Sequence, residues 1–156
     1  MTGLAFAVEP LAPFREEAAM LLPRHWEELA LDKERLPLEP HWQRYSDLDR
    51  AGVVSLVTVR EEGRLVGYSI MFVTDSMQHR TALEAWMDIF WVAPEVRGRM
   101  GGLRLFRTHE KELRRRGVRR VNVGSRVHRD CGRLFLAMGY RPTEQWYSKW
   151  LGEMAA

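Results

Sequence analysis

The 156-residue chain is long enough for one domain with a substantial core and short for two. Apolar residues make up 46% and charged residues 29%, the ordinary mixture of a globular protein, and a single cysteine, Cys131, excludes an internal disulfide. The net charge of +3 is unevenly placed: residues 97–141 hold 14 Lys/Arg against 3 Asp/Glu, and the remainder holds 10 basic and 18 acidic residues.

That local basic excess points to a polyanionic ligand near the second half of the chain, or else to a solvated arginine-rich helix face. No apolar run approaches the roughly 18 residues that would cross a bilayer, so no membrane partner is expected. The N-terminal stretch lacks a basic start and a continuous apolar run, so no signal peptide is read and a reducing cytoplasm is the expected location.

Leu4 to Val8 predicts a first strand, ended by Pro10. From Phe14 to Leu31 apolar residues recur at helical spacing, with Pro23 expected to break or kink the helix. The stretch "HWQRYSDLDRAG" predicts a short helix that stops at Gly52. Residues 53–73 read as a hairpin turning at Glu62-Gly63. "LEAWMDIFWVAP" is a further strand, closed by Pro94. Leu103, Phe106 and Leu113 then form the apolar stripe of a basic helix. It carries Arg114, Arg115 and Arg116 in its last turn and ends at Gly117. "VRRVNVGS" is a strand. Cys131, Leu134, Phe135 and Met138 make a short helix ended by Gly139, and "YRPTEQWYSKWL" closes the chain as extended structure. The order β-α-α-β-β-β-α-β-α-β, with a central antiparallel hairpin, places the chain in the α+β (mixed α/β) class. It predicts one domain over residues 1–156 built on a mixed sheet.

The turn into the basic helix reads "RGRMGG", Arg97 to Gly102. Alone it is weak evidence, because glycine-rich strand-to-helix turns are common. The motifs G-x-x-x-x-G-K-[ST] and G-x-G-x-x-G are both absent. Its position is more informative. A loop that opens a helix gathers free backbone N–H groups and the positive end of the helix dipole. Gly98, Gly101 and Gly102 let a ligand approach the backbone, and Arg97, Arg99 and Arg104 add charge.

Preceded by Val92-Ala93-Pro94-Glu95, this loop resembles the [RQ]-x-x-G-x-[GA] signature of the GNAT N-acetyltransferases. The element order is similar along nearly the whole chain. So is the ending, Met138-Gly139-Tyr140, where the family usually has L-G-F. The chain also looks like short bacterial or phage-borne members. The resemblance implies the GNAT acyl-CoA N-acyltransferase fold, a central mixed sheet with splayed strands flanked by helices. It implies acetyl-CoA as co-substrate and acetyl transfer to a primary amine of a small molecule or protein, by direct attack on the thioester without an acyl-enzyme. The pyrophosphate would sit on the N–H groups of Arg99, Met100, Gly101, Gly102 and Leu103. The pantetheine arm would pair with the backbone of Phe90, Trp91 and Val92. Ser125 would touch pantetheine or phosphate, or else serve as a cap. Met100 stands where the family's first signature glycine belongs. A negative φ there keeps the cradle intact, whereas a left-handed conformation costs about 1–2 kcal/mol.

Acetyl transfer needs a neutral amine, a polarised thioester and a proton for the departing thiolate. Strand alternation puts Glu84, Trp86, Asp88, Phe90 and Val92 on one face. Asp88 corresponds to a place where many relatives carry the acid that deprotonates the amine. Its alternative is a carboxylate satisfied by a neighbouring arginine. Glu84 is the second candidate, with a strand-end surface acid as its alternative. The tyrosine that protonates the thiolate in many relatives is Phe135 here, leaving Tyr140, Tyr147 or water for that step. Cys131 reads as core, and Asp130 as a helix N-cap.

The acceptor is expected at the first two helices and the hairpin. There His25, Trp26, Glu27, Glu28, His41, Trp42 and Tyr45 would suit a cationic amine through charge and cation–π contact. The structural alternative places Trp26 on the apolar stripe and Glu27 and Glu28 in solvent. HxxxH and HExxH spacings are absent, so no metal is expected. Two other readings are a basic nucleic-acid-binding module and a CoA-binding GNAT-like protein with little catalysis. The lack of a recognition helix argues against the first, whereas Met100 and Phe135 suggest the second. A homodimer is compatible with the sequence.

Overall fold

The computed structural model describes residues 3–152; residues 1–2 and 153–156 of the expected domain lie outside the described residues. One sheet carries strands β1 (Leu4–Val8), β2 (Val54–Glu61), β3 (Arg64–Asp75), β4 (Leu83–Val92) and β5 (Arg120–Asn122), side by side in that order. The first four are antiparallel neighbours, and β5 runs parallel to β4. Helices α1 (Leu11–Leu29) and α2 (Trp42–Arg50) cover one face. The one-turn α3 (Pro94–Arg97) leads into α4 (Gly101–Arg115), which covers the other face with α5 (Gly132–Ala137).

Both faces of the central strands are therefore buried. Val57, Val59, Tyr68, Ile70 and Met71 are nearly inaccessible, a two-sided pattern expected where helices flank a sheet. Tyr68 meets Phe14 of α1 edge-on at 5.2 Å. On the opposite face Phe90, Phe106 and Phe135 pack edge-to-face at 4.9 to 6.1 Å, a geometry that suits aromatic quadrupoles. Glu62 and Gly63 both have positive φ, 50° and 81°, as a two-residue hairpin turn matched to the strand twist requires.

Four expectations need correction. α1 runs unbroken through Pro23. The ring removes one main-chain hydrogen bond, but the buried face of Leu11, Phe14, Ala18 and His25 holds the helix on the sheet. Residues 141–152 form no strand and are exposed throughout. β5 offers only three residues of edge, and Pro142 has no N–H to give to a ladder. Trp150 instead lies under the Arg35 guanidinium, 5.2 Å from its ring centre. Glu84 is buried, 5% exposed, because parallel pairing brings Arg120 beside it, with Nη1 at 3.4 Å.

The fourth correction bears on function. β3 and β4 pair Ile70 with Ile89 but Met71 with Met87, so Asp88 is an extra residue, a β-bulge. Alternation slips by one step there. Phe90 faces α4 and α5, while Trp91 faces α1, so Asp88 and Phe90 do not share a face.

Between the sheet and α4, the fully buried His109 contacts Ser69 Oγ through Nδ1 (3.1 Å) and Ser55 Oγ through Nε2 (2.9 Å). Burial pushes His109 and His25 down to about 4 from 6.5. The unfolded chain then binds more protons between these values, so the stability from both neutral imidazoles is complete above about 6.5 and is lost as pH falls towards 4. Denaturant midpoints are expected to drop over that range. His109→Ala is expected to lose about 2–4 kcal/mol at pH 7 and to flatten the slope. Equal midpoints for both proteins at pH 7 would contradict this.

Candidate active site

β4 and β5 pair only as far as Trp86 and Asn122. Beyond that point the chain after β5 turns away, and one edge of β4 from Met87 to Val92 lines a cavity of about 1410 Å³. The start of α4 lies at one end of this cavity, with Met100, Gly102 and Leu103 on its wall. α1 and α2 with their connecting loop form another side. Residues 124–126 and 128–131, after β5, form a further side, with Leu134 of α5 and with Trp146 and Ser148 of the closing segment.

Met100 holds φ 60° and ψ 21°, the left-handed conformation, immediately before α4. Its side chain is 57% exposed. Arg104 donates its N–H to the Met100 carbonyl at 3.0 Å. The N–H groups of Gly101, Gly102 and Leu103 therefore belong to the first helical turn, whose amides lack intrahelical acceptors. A Cβ on Gly101 would lie 3.2 Å from Val92 Cγ1 and from the Val96 carbonyl, and one on Gly102 would lie 3.2 Å from Leu134 Cδ2. These glycines let α4 begin close against β4 and α5. Gly98 has open space around it and does not line the cavity.

The loop arginines have protein partners. Arg97 grips Glu28 with both terminal nitrogens, at 2.7 and 2.6 Å, and donates Nε–H to the Val92 carbonyl at 2.8 Å. Trp91 Nε1 donates to the same Glu28 carboxylate at 2.8 Å. These bonds, the Arg97 bond first, hold Glu28 down to about 2. Arg99 pairs with Glu61, and Arg104 lies 4.4 Å over the Phe6 ring. Further cations on the cavity come from Arg126 and Arg129, with His128 between them. The sequence reading did not single out Arg126. Its signal was position, just past a strand that splays from its neighbour.

Ser125 lies on the cavity wall, but its hydroxyl donates to Asp130 Oδ1 at 2.7 Å and accepts the Cys131 N–H at 2.8 Å. Asp130 Oδ1 also accepts the Gly132 N–H at 2.8 Å, but the N-cap of α5 is Cys131, one residue later than expected. Cys131 lines the cavity and packs on the Phe135 cluster, and burial raises its thiol pKa.

Asp88 opens onto the cavity and accepts a hydrogen bond at Oδ2 from the Tyr45 hydroxyl of α2. Its partner is thus a phenol rather than an arginine. Desolvation raises its pKa above the ordinary value, with the Tyr45 bond opposing. Glu84 does not line the cavity. Tyr140 also stands off it, packed 5.6 Å from Phe135, its buried hydroxyl without a partner among the described residues. Tyr147 is 88% exposed. Of the expected acceptor residues, His25, Trp26, Glu28, His41, Trp42 and Tyr45 reach the cavity, while Glu27 pairs with Lys33 at 2.9 Å outside it. His25 stacks on Trp91 at 6.0 Å and shares a 2.7 Å hydrogen bond with Tyr68.

Residues 17–140 match the profile of the acetyltransferase (GNAT) family, and the chain belongs to that family. Its fold is shared with the ribosomal-protein-alanine N-acetyltransferase of Brucella melitensis biovar Abortus 2308, at 18% identity and TM-score 0.74 over 98% of this chain and 99% of that one. The glucosamine-6-phosphate N-acetyltransferase of Arabidopsis thaliana is similar at 11% identity and TM-score 0.73, covering 96% and 99%. A predicted acetyltransferase of Clostridium acetobutylicum, crystallised with acetyl-CoA, is similar at 10% identity and TM-score 0.70, covering 96% and 97%. At these identities the likeness establishes the fold. No curated protein is a significant match to the sequence.

Left-handed backbone at a non-glycine residue is strained. Met100→Gly is expected to raise stability by up to about 1 kcal/mol, the relief being partly offset by the entropy of an unfolded glycine. A lower denaturation midpoint for Met100→Gly would contradict the strain.

Proposed function

We propose that the protein transfers the acetyl group of acetyl-CoA to a primary amine on a small molecule or protein, by direct attack on the thioester without an acyl-enzyme. The observation that carries this reading is a single cavity joining a helix N-terminus, the unpaired edge of β4 and the accessible carboxylate of Asp88. Bound there, acetyl-CoA would supply an activated acetyl thioester and a good leaving group.

The residues fit such a ligand. Amides of Met100 to Leu103 would hold the pyrophosphate at the positive end of α4, the Arg99 N–H being already bonded to the Val96 carbonyl at 3.2 Å. Arg126 and Arg129 add positive charge on the facing wall. The backbone of Phe90, Trp91 and Val92 would pair with the extended pantetheine arm where β5 has turned away.

Asp88 would take one proton from the ammonium form of the acceptor, leaving a neutral nitrogen for the thioester carbonyl. Its raised pKa makes it a better base for that step. As the C–N bond forms and the C–S bond breaks, a second N–H proton must reach the departing sulfur. Phe135 has no proton to give, and Tyr140 stands off the cavity, so water supplies this transfer. Glu84, buried against Arg120, is the weaker candidate. Acids and aromatics at the α1–α2 end, with Tyr45 in contact with Trp42 and with Phe72, favour a cationic amine. The same reading takes residues 1–156 as one domain working in the cytoplasm.

Acetyl-CoA at 100 times its Kd is expected to stabilise the protein by about 2.7 kcal/mol in a thermal or denaturant titration. Asp88→Asn is expected to lower turnover of a probe amine by ~10²–10⁴ while leaving acetyl-CoA affinity unchanged. Absence of binding at millimolar acetyl-CoA would overturn the function. Full kcat/KM in Asp88→Asn would remove Asp88 as the base, and binding without turnover of any amine would favour a protein that holds CoA without catalysis.

A further inference from the structure

We infer that Tyr45 is a positioning residue for the base: its hydroxyl holds one oxygen of Asp88 and leaves the other open to take the proton of the acceptor amine. The inference rests on the reading of Asp88 as the base. Asp88 is the extra residue of the β4 bulge and has no cross-strand partner on β3. The ladder therefore does not orient its side chain. Tyr45 supplies that orientation from a different element. Its ring is fixed by Trp42 on its own helix, centroids 5.8 Å apart, and by Phe72 of β3 at 6.0 Å. The bond is made at Oδ2, and Oδ1 takes no hydrogen bond from the described residues.

α2 has no buried residue, and a second cavity of about 370 Å³, lined by His41, Leu48, Val53, Phe72 and Thr74, lies against Tyr45. The phenol is thus braced by two aromatic contacts and its bond to Asp88, on a helix whose Trp42, Tyr45 and Leu48 pack partly buried against the core. The other ionisable groups around the site are His25 and Glu28 on α1, Asp32 and Glu39 between α1 and α2, His41 and Arg44 at the start of α2, Tyr68 on β3, Arg97 of α3, and Arg126, His128, Arg129, Asp130 and Cys131 after β5. None of these makes a hydrogen bond to Asp88 among the described residues; Tyr45 does. Burial and the adjacent carboxylate keep the phenol protonated, so it serves as a lasting donor. Desolvation pushes Asp88 towards its protonated form, and the Tyr45 bond opposes that push. Removing the hydroxyl leaves desolvation unopposed, and a protonated Asp88 cannot accept a proton.

The test is a carbon-13 NMR titration of the Asp88 carboxyl, assigned by its loss in Asp88→Asn, in the wild type and in Tyr45→Phe. Phenylalanine keeps the contacts with Trp42 and Phe72, and unchanged acetyl-CoA affinity reports that the fold is kept. The midpoint is expected to rise by about one pH unit in Tyr45→Phe. The reciprocal measurement is the alkaline titration of the Tyr45 phenol, followed by ultraviolet absorbance, which is expected to move to lower pH in Asp88→Asn. An unmoved Asp88 midpoint, or an unmoved phenol, overturns the inference. Neither titration needs an acceptor, so this inference and the catalytic role of Asp88 fail separately: full turnover in Asp88→Asn removes the base while the titrations still report the contact.

Discussion

A strand edge inside a protein must have its N–H and C=O groups satisfied, and β4 loses its parallel neighbour after Trp86. That parting is the constraint on which the rest of the structure depends. It opens the cavity, brings β4 backbone to its wall, and sets the start of α4 and the loop before α5 on either side. The bulge at Asp88 lies in the same segment. One irregular stretch of strand thus offers both a backbone surface for an extended ligand and a carboxylate outside the regular ladder.

The charges around this gap divide into two groups. Arg97, the first residue of the signature, works as a clamp. It ties α1 through Glu28 and β4 through the Val92 carbonyl, and Glu28 also receives the Trp91 indole. The loop is therefore held in place by its own arginine, and in the proposed function phosphate recognition would fall to main-chain amides and to cations contributed from beyond β5. Arg114 and Arg115 pair with Glu110 and Glu112 along α4, so part of the basic excess is a solvated helix face after all. The strain at Met100 fits this arrangement: the turn is imposed by packing between β4, α3 and α4 strongly enough to hold a methionine in a glycine conformation.

Much of the fold was legible because its signals are local. Apolar spacing located α1, α4 and α5, the stop at Gly52 bounded α2, and β-branched runs around Glu62-Gly63 marked the hairpin. The turn into α4 was legible from its glycines and its place between strand and helix. The remainder depends on pairings distant in sequence. Glu28 and Arg97 are 69 positions apart, and Tyr45 and Asp88 are 43 apart. A one-residue bulge leaves no trace in composition, so alternation put Phe90 on the face of Asp88 when it stands with Phe106. Glu84 read as a surface acid because the parallel partner that buries it lies more than thirty positions later. The closing segment read as extended structure, but whether it pairs depends on the length of edge available, which its own residues do not encode.

The claim that the parted edge of β4 is the ligand site is tested most directly by hydrogen–deuterium exchange with and without acetyl-CoA. Ligand is expected to slow exchange in residues 87–92 and at 99–103 together, with residues 54–61 of β2 unchanged. Protection confined to the basic face of α4 between Arg107 and Arg116, or no protection along β4, would contradict the account.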